Sequence, residues 1–262
     1  MLVHYNILKR KLNKIIKAVF IAALMIPFLF EGSYTYFTND LKSVEYIYKY
    51  PVSFYKEKGK VKIYSLTDTI SIFYYGNYVL YQLSPTVKFE TGEKIRGTEP
   101  YFIFNKKNHF GFLYPSMKNP NHGAKLSVDS FLINRGMKGK DFDIPPDSLW
   151  SLHAVVKDKS QDFILEKYGT IKPVDETNFD SIYYYYTRKI KNTEFSFSRK
   201  LDSIKRMKLY KVRLIFNEKF SPADKILLPK REFLFEIRDK TVSNPKEIIG
   251  FIQRFIKCCD PG

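Results

Sequence analysis

ISIFYYGNYVLYQL, Ile70 to Leu83, decides the fold. Two runs of β-branched and aromatic residues flank Gly76-Asn77, a two-residue loop able to supply the positive φ of a tight hairpin. Strands joined so closely are antiparallel. Further along, Tyr101 to Phe104 and Phe110 to Tyr114 repeat the pattern around Asn105 to Asn108. Toward the N-terminus, Val44 to Tyr55 alternates in part and contains Pro51, which predicts an edge strand or a break. Residues 56–60 (KEKGK) read as a turn, with Val61, Ile63 and Tyr64 on the returning strand. With 17% of the chain aromatic, such runs predict sheet rather than helix.

Beyond the second hairpin, residues 115–125 (PSMKNPNHGAK) form a loop and Leu126 to Asn134 is expected to return as a strand. Residues 136–146 are loop-like again, and a subdomain boundary, if there is one, falls within 136–147. Asp147 or Ser148 is placed to cap a short helix through Trp150, Leu152 and Val156, although His153 to Val156 reads equally as a strand. Ser181 to Ile190 and Thr193 to Ser198 predict a hairpin that turns at Lys191-Asn192, with Phe195 and Phe197 on one face. Tyr210, Val212, Leu214 and Phe216 share a strand face opposite Lys211 and Arg213, and Phe233, Phe235 and Ile237 share another. At the end, Asn244 as N-cap, Pro245 at the first helical position and Glu247 in the first turn announce a helix. Ile248, Ile252 and Phe255 line one side of it. The expected fold is mainly β with α+β character: an antiparallel curved sheet or sandwich, residues 34–262 forming a single β-rich domain, with the C-terminal helix packed on it.

A different chemistry precedes this domain. Lys9, Arg10, Lys11, Lys14 and Lys17 stand before thirteen uncharged residues, Ala18 to Phe30, and Glu31, Gly32 and Ser33 restore polarity. That order is the pattern of an export signal, so residues 1–33 are expected to be a signal peptide or an uncleaved signal anchor. Thirteen residues are short of the roughly 20 that cross a bilayer, although Ile15, Ile16 and Tyr34 to Phe37 lengthen the apolar stretch. Membrane association is therefore assigned to residues 15–37. A buried amphipathic helix fits less well, because the segment lacks a polar face and contains Pro27. The expected location is extracytoplasmic, secreted or in the cell envelope.

Removing residues 1–33 leaves 39 basic and 26 acidic residues, so the basicity belongs to the strands. From Thr187 to Lys240 there are 16 basic and seven acidic residues. An excess of this kind favours anionic partners and says nothing of the fold. The only cysteines, Cys258 and Cys259, are neighbours and cannot staple distant elements. An inert pair is expected, with a vicinal disulfide, a metal-binding pair or an intermolecular bridge as the alternatives.

Motifs for catalysis or metal binding lack their context. Ser53 and Lys56, and Ser243 and Lys246, have the Ser-x-x-Lys spacing of penicillin-recognising enzymes without the companion motifs. His4, His109, His122 and His153 are dispersed. Asp141, Asp143 and Asp147 match a calcium loop only where glycine and glutamate are not demanded. His109 to Tyr114 has the alternating aromatics of an RNA-stacking strand without its basic and glycine opening, which disfavours nucleic acid. No cofactor or metal is expected.

The remaining feature is Tyr183 to Lys189, YYYYTRK, followed by basic strands. Alternation sends Tyr184 and Tyr186 to one face and Tyr183 and Tyr185 to the other. Tyr184, Tyr186, Arg188, Lys189, Lys211 and Arg213 are the candidate ligand-binding residues. The expected function is non-enzymatic: an exported protein that binds an anionic polymer, lipid head groups or a protein partner. The alternative is a secreted hydrolase of envelope polymers whose catalytic residues are dispersed in sequence.

Overall fold

The computed structural model describes residues 41–55, 61–84, 86–89, 94–118, 123–137, 142, 150–158, 160, 162–171, 178–190, 193–221 and 225–259. Residues 1–40, with the expected export segment, lie outside them, as do Asp141, Asp143, Asp147, Ser148, His122 and the turns expected at 56–60 and 191–192. Apart from Leu41, the described residues belong to one compact unit, Lys42–Gly262. No helix among them is long and apolar enough to cross a membrane.

The protein is mainly β. In chain order the strands are β1 (Lys42–Tyr55), β2 (Val61–Tyr75), β3 (Tyr78–Leu83), β4 (Thr86–Phe89), β5 (Lys94–Arg96), β6 (Tyr101–Asn105), β7 (Phe110–Tyr114) and β8 (Ala124–Ser127). After helix α1 (Val128–Asn134) come β9 (Trp150–Lys157), β10 (Phe163–Thr170) and β11 (Ser181–Thr187). Helix α2 (Arg199–Lys205) precedes β12 (Lys208–Phe216), β13 (Lys219–Ser221), β14 (Ile226–Leu228) and β15 (Arg231–Asp239), and α3 (Pro245–Cys259) ends the chain. Thirteen strands form one sheet whose main path is β8-β7-β6-β3-β2-β1-β15-β12-β11-β10-β9, and β13 pairs with β14 separately. Two meanders, one from each half of the chain, thus meet where β1 pairs antiparallel with β15.

The central hairpin forms as its sequence predicts. Tyr75 faces Tyr78 across the turn, with Gly76 at φ 55°, the positive value that a first-position glycine gives a II′ turn. Pro51 marks neither an edge strand nor a break. β1 is central, and Pro51 lies just past Lys49, the last β1 residue paired with β15, while still facing Ser65 of β2. A missing N–H costs nothing on the side where the ladder has ended.

Two expectations fail for identifiable reasons. Leu126 to Asn134 is not one strand: Ser127 accepts from the Ser130 N–H and caps α1 with Asp129 in its first turn, so local capping ends β8. Thr193 to Ser198 does not pair with β11, which lies between β10 and β12. Ser198 instead caps α2 through the Leu201 N–H, and Phe195 and Phe197 turn inward to within 5.6 and 6.1 Å of the Tyr46 ring. Of the two readings left open from Trp150, the strand is the one that forms, as β9.

One face of the sheet holds the main core. Tyr46, Ile72, Tyr81, Phe102, Tyr184, Val212 and Phe235 are buried there, covered in part by Phe131 of α1, stacked 3.9 Å from Phe102, and by Leu201 of α2. The reverse face is covered by α3 only in part. Phe251 meets Tyr101 and Tyr114, and Phe255 meets Tyr78 and Phe112. Each such fully buried aromatic or aliphatic side chain stabilises by about 1.5–3 kcal/mol. The start of α3 follows its sequence signal, Asn244 accepting from the Glu247 N–H and donating to its carboxylate. At its other end Cys258 and Cys259 are joined as a vicinal disulfide, and the Tyr114 hydroxyl donates to Cys259 Sγ at 3.8 Å.

Candidate functional site

Beside the part under α3, the reverse face continues across β10, β11, β12, β15 and β1 without a helix on it among the described residues. Strand register aligns Lys167 with Tyr183, Tyr183 with Arg213, Arg213 with Leu234, and Leu234 with Lys49. The next row runs Leu165, Tyr185, Lys211, Glu236 and Ile47. Opposite residues of a pleated sheet share a face, so these rows form one aromatic and basic surface. Three of its cations lie over tyrosine rings: Lys167 is 5.6 Å and the Arg213 guanidinium 5.4 Å from the Tyr183 centroid, and Lys211 is 5.3 Å from that of Tyr185. Such stacking holds a cation in place while leaving it hydrated on its outer side.

Carboxylates brace this surface. Arg213 forms a two-pronged pair with Glu232, Nε to Oε1 at 2.7 Å and Nη2 to Oε2 at 2.9 Å, and its Nη1 donates to the Tyr185 hydroxyl at 3.2 Å. The bonds from Arg213 hold the Glu232 carboxyl below its ordinary range against the opposing effect of burial, with Lys49 and Lys230 adding attraction. The Arg213 guanidinium is held correspondingly more firmly protonated, chiefly by its bond to Glu232. Glu236, 7% exposed, lies 2.8 Å from Arg238 Nε and 3.7 Å from Lys211 Nζ.

Where β1, β2 and the start of β15 converge, a cleft of about 470 Å³ opens beside Glu232. Lys49, Lys62, Lys230 and Arg231 contribute to its lining with Ser65, and Pro51, Val61, Ile63 and Pro229 supply apolar walls. Four cationic residues against one carboxylate, itself held by Arg213, suit an anionic group with an apolar flank.

The six residues singled out in the sequence do not share one surface. Tyr184 and Tyr186 are 1% and 0% exposed and point into the core, where the Tyr168 hydroxyl donates to Glu166 and Lys205 pairs with the same carboxylate. Burial, followed by the Glu166 charge, pushes the Tyr186 hydroxyl well above the ordinary tyrosine range. Lys211 and Arg213 do stand together on the reverse face. Arg188 and Lys189 lie at the end of β11, and Arg188 lines a separate cleft of about 450 Å³ with Thr187, Arg206 and Lys208. The tyrosines that accompany Lys211 and Arg213 are Tyr183 and Tyr185.

Lys49, Lys167 and Lys230 were not singled out by sequence, and only the register of distant strands brings them to Arg213. A bulge also intervenes: the register shifts between Tyr185 and Tyr186, setting Tyr186 opposite Leu209 and Tyr185 opposite Lys211. Tyr210 is the extra residue, and its ring lies 6.4 Å from that of Tyr185, not in line with Val212.

Of the aromatics that resemble an RNA-stacking strand, Phe112 and Tyr114 face α3, while Phe110 is exposed beneath Lys125. The buried carboxylates Glu166 and Glu236 and the half-buried Asp202 each have a cationic partner of their own, and no group of three or more metal-ligating side chains occurs among the described residues. No protein-family model matches the chain, and no curated protein matches its sequence.

Proposed function

We propose that the chain is exported and binds an anionic polymer along the open reverse face of β10, β11, β12, β15 and β1. Support comes from one observation: a row of Lys167, Tyr183, Arg213 and Lys49, in register across these strands, with two of its cations stacked on a tyrosine. Such a surface attracts a negatively charged chain at long range and offers flat aromatic edges at contact. The cleft at Lys49 and Lys230 takes one anionic group of the polymer. We read the sheet as curved about its Tyr46 core, which makes the open face convex and lets an extended ligand lie across it.

Retention on immobilised dextran sulfate tests the proposal. Lys211 and Arg213 are poor positions for charge reversal, because Glu236 and Glu232 would then face a like charge. Neutralising Lys49, Lys167 and Lys230 to Ala together is the better probe. The control neutralises Lys107, Lys118 and Lys257, exposed residues elsewhere. The site variant is expected to elute at distinctly lower salt than the control of equal net charge. Equal elution of the two would show that net charge alone governs retention and would remove the proposed site.

A further inference from the structure

We infer that the cleft between the end of β11 and the turn after α2 binds a phosphate monoester, at a site separate from the polymer surface. The cleft has a volume of about 450 Å³. Thr187 and Arg188 reach it from the end of β11, and Arg206 and Met207 from the connection between α2 and β12. Ile190 joins Met207 in an apolar wall.

The charges in the lining do not cancel. Among the described lining residues Asp202 is the only carboxylate, and its oxygens are already committed. Its Oδ2 accepts from Lys208 Nζ and from the Ser196 hydroxyl, each at 2.8 Å, and its Oδ1 accepts from the Leu209 N–H at 2.7 Å. Lys208 therefore neutralises Asp202, and Arg188 and Arg206 are left over. Both are exposed, and neither side chain has a hydrogen bond or an ion pair among the described residues. Two uncompensated guanidiniums match the dianion of a phosphate monoester near neutral pH, and their forked donors suit its oxygens.

A third donor lies deeper. Thr187 is 8% exposed; its Oγ1 accepts from the Lys189 N–H at 3.1 Å, and its own proton has no acceptor among the described residues. A buried donor is costly to leave unpaired, and an oxyanion held by the two arginines supplies the acceptor. Arg206 is also an unusual occupant of its position. It ends α2 at φ 51° and ψ 36°, a left-handed conformation that glycine or asparagine usually takes, and neither of those would bring a cation to the cleft. At roughly 30 Å³ for each water in the liquid, the cleft has room for much more than a phosphate group, so the ligand carries an organic part that rests on Ile190 and Met207. The site shares no residue with the polymer surface, and the inference does not depend on that reading.

Calorimetric titration of the full-length chain with phenyl phosphate, at about 0.15 M salt to screen unspecific attraction, tests the site. Phenyl phosphate is expected to bind, and inorganic phosphate to bind several-fold more weakly because it lacks the organic part. Arg188→Gln and Arg206→Gly should each weaken phenyl phosphate about tenfold, the effect of losing one charge-assisted hydrogen bond, and Thr187→Val should weaken it by a smaller factor. Glycine adopts positive φ without strain, so Arg206→Gly removes the guanidinium and leaves the turn. Replacing Lys49, Lys167 and Lys230 by Ala together should leave the affinity unchanged. No binding at millimolar phenyl phosphate, an affinity indifferent to Arg188→Gln and Arg206→Gly, or an equal loss in the triple lysine variant would each overturn the inference. Unaltered dextran sulfate retention in the triple lysine variant, with phenyl phosphate binding intact, would instead count against the polymer proposal alone.

Discussion

Over β2, β3, β6 and β7, the reverse face of the sheet carries Phe73, Leu80, Tyr101, Ile103 and Tyr114, all buried. Over β10, β11 and β12, the same face carries Lys167, Tyr183, Tyr185, Lys211 and Arg213, all half-buried. The backbone is equivalent in the two regions, antiparallel and pleated, with alternate residues turned outward. The side chains make the difference. Where they are apolar, α3 lies down with Ile248, Ile249, Phe251, Ile252 and Phe255 against them. Where they are tyrosines and cations, the polar tips must stay wet or paired, and a helix laid there would strand them. The uncovered half is consequently held by ion pairs and stacking, which contribute less to stability and leave a surface that another molecule can use.

The largest effect expected from this contrast belongs to the covered half. Phe251→Ala should cost about 3–5 kcal/mol, the usual range for emptying a large aromatic site, read by denaturant unfolding. A cost near that of a surface substitution would mean that α3 is not the cover.

Next is Arg213→Ala in the open half, expected to cost no more than about 1 kcal/mol because the pair is a third exposed and screened. The Arg213 pair also sets an acid dependence. Glu232 has its folded pKa depressed by Arg213, so its contribution is fully present above the ordinary value of 4.5 and is lost as pH falls through the lower folded value. Arg213→Ala should flatten the stability profile over that acid window. An unchanged profile would remove Glu232 from the account.

Smaller still is Tyr183→Ala. Stability should change by less than about 1 kcal/mol for a half-exposed strand side chain, while retention on dextran sulfate should drop, since Lys167 and Arg213 lose the ring that positions them. A stability loss with unchanged retention would reverse the assignment of roles.

The smallest effect is expected from reducing Cys258–Cys259. Neighbouring residues enclose no loop, so the chain-entropy stabilisation of ordinary disulfides is absent. The melting temperature should scarcely move.

Much of the fold was legible because the determining interactions are local. Gly76-Asn77 fixes its own hairpin, and Asn244, Pro245 and Glu247 fix the start of α3. Pro51 misled because its tolerance depends on where β15 stops pairing, and β15 lies near the other end of the chain. Thr193 to Ser198 misled because alternating phenylalanines suit a strand as well as a segment folded into the core, and the Ser198 cap decides between them. The site was only half legible. Period-two alternation divides Tyr183 and Tyr185 from Tyr184 and Tyr186, but which pair faces the core depends on β12 and on the bulge at Tyr185. Lys49, Lys167 and Lys230 could not be joined to Arg213 without the register of four strand pairs.

Lysine footprinting addresses the contrast between the two halves most directly. With dextran sulfate present, acetylation followed by peptide mass analysis should find Lys49, Lys167, Lys211 and Lys230 shielded relative to the free protein. Lys107, Lys118 and Lys257 should keep their reactivity. Shielding spread evenly over all seven, or confined to the second group, would contradict the assignment of the open face as the binding surface.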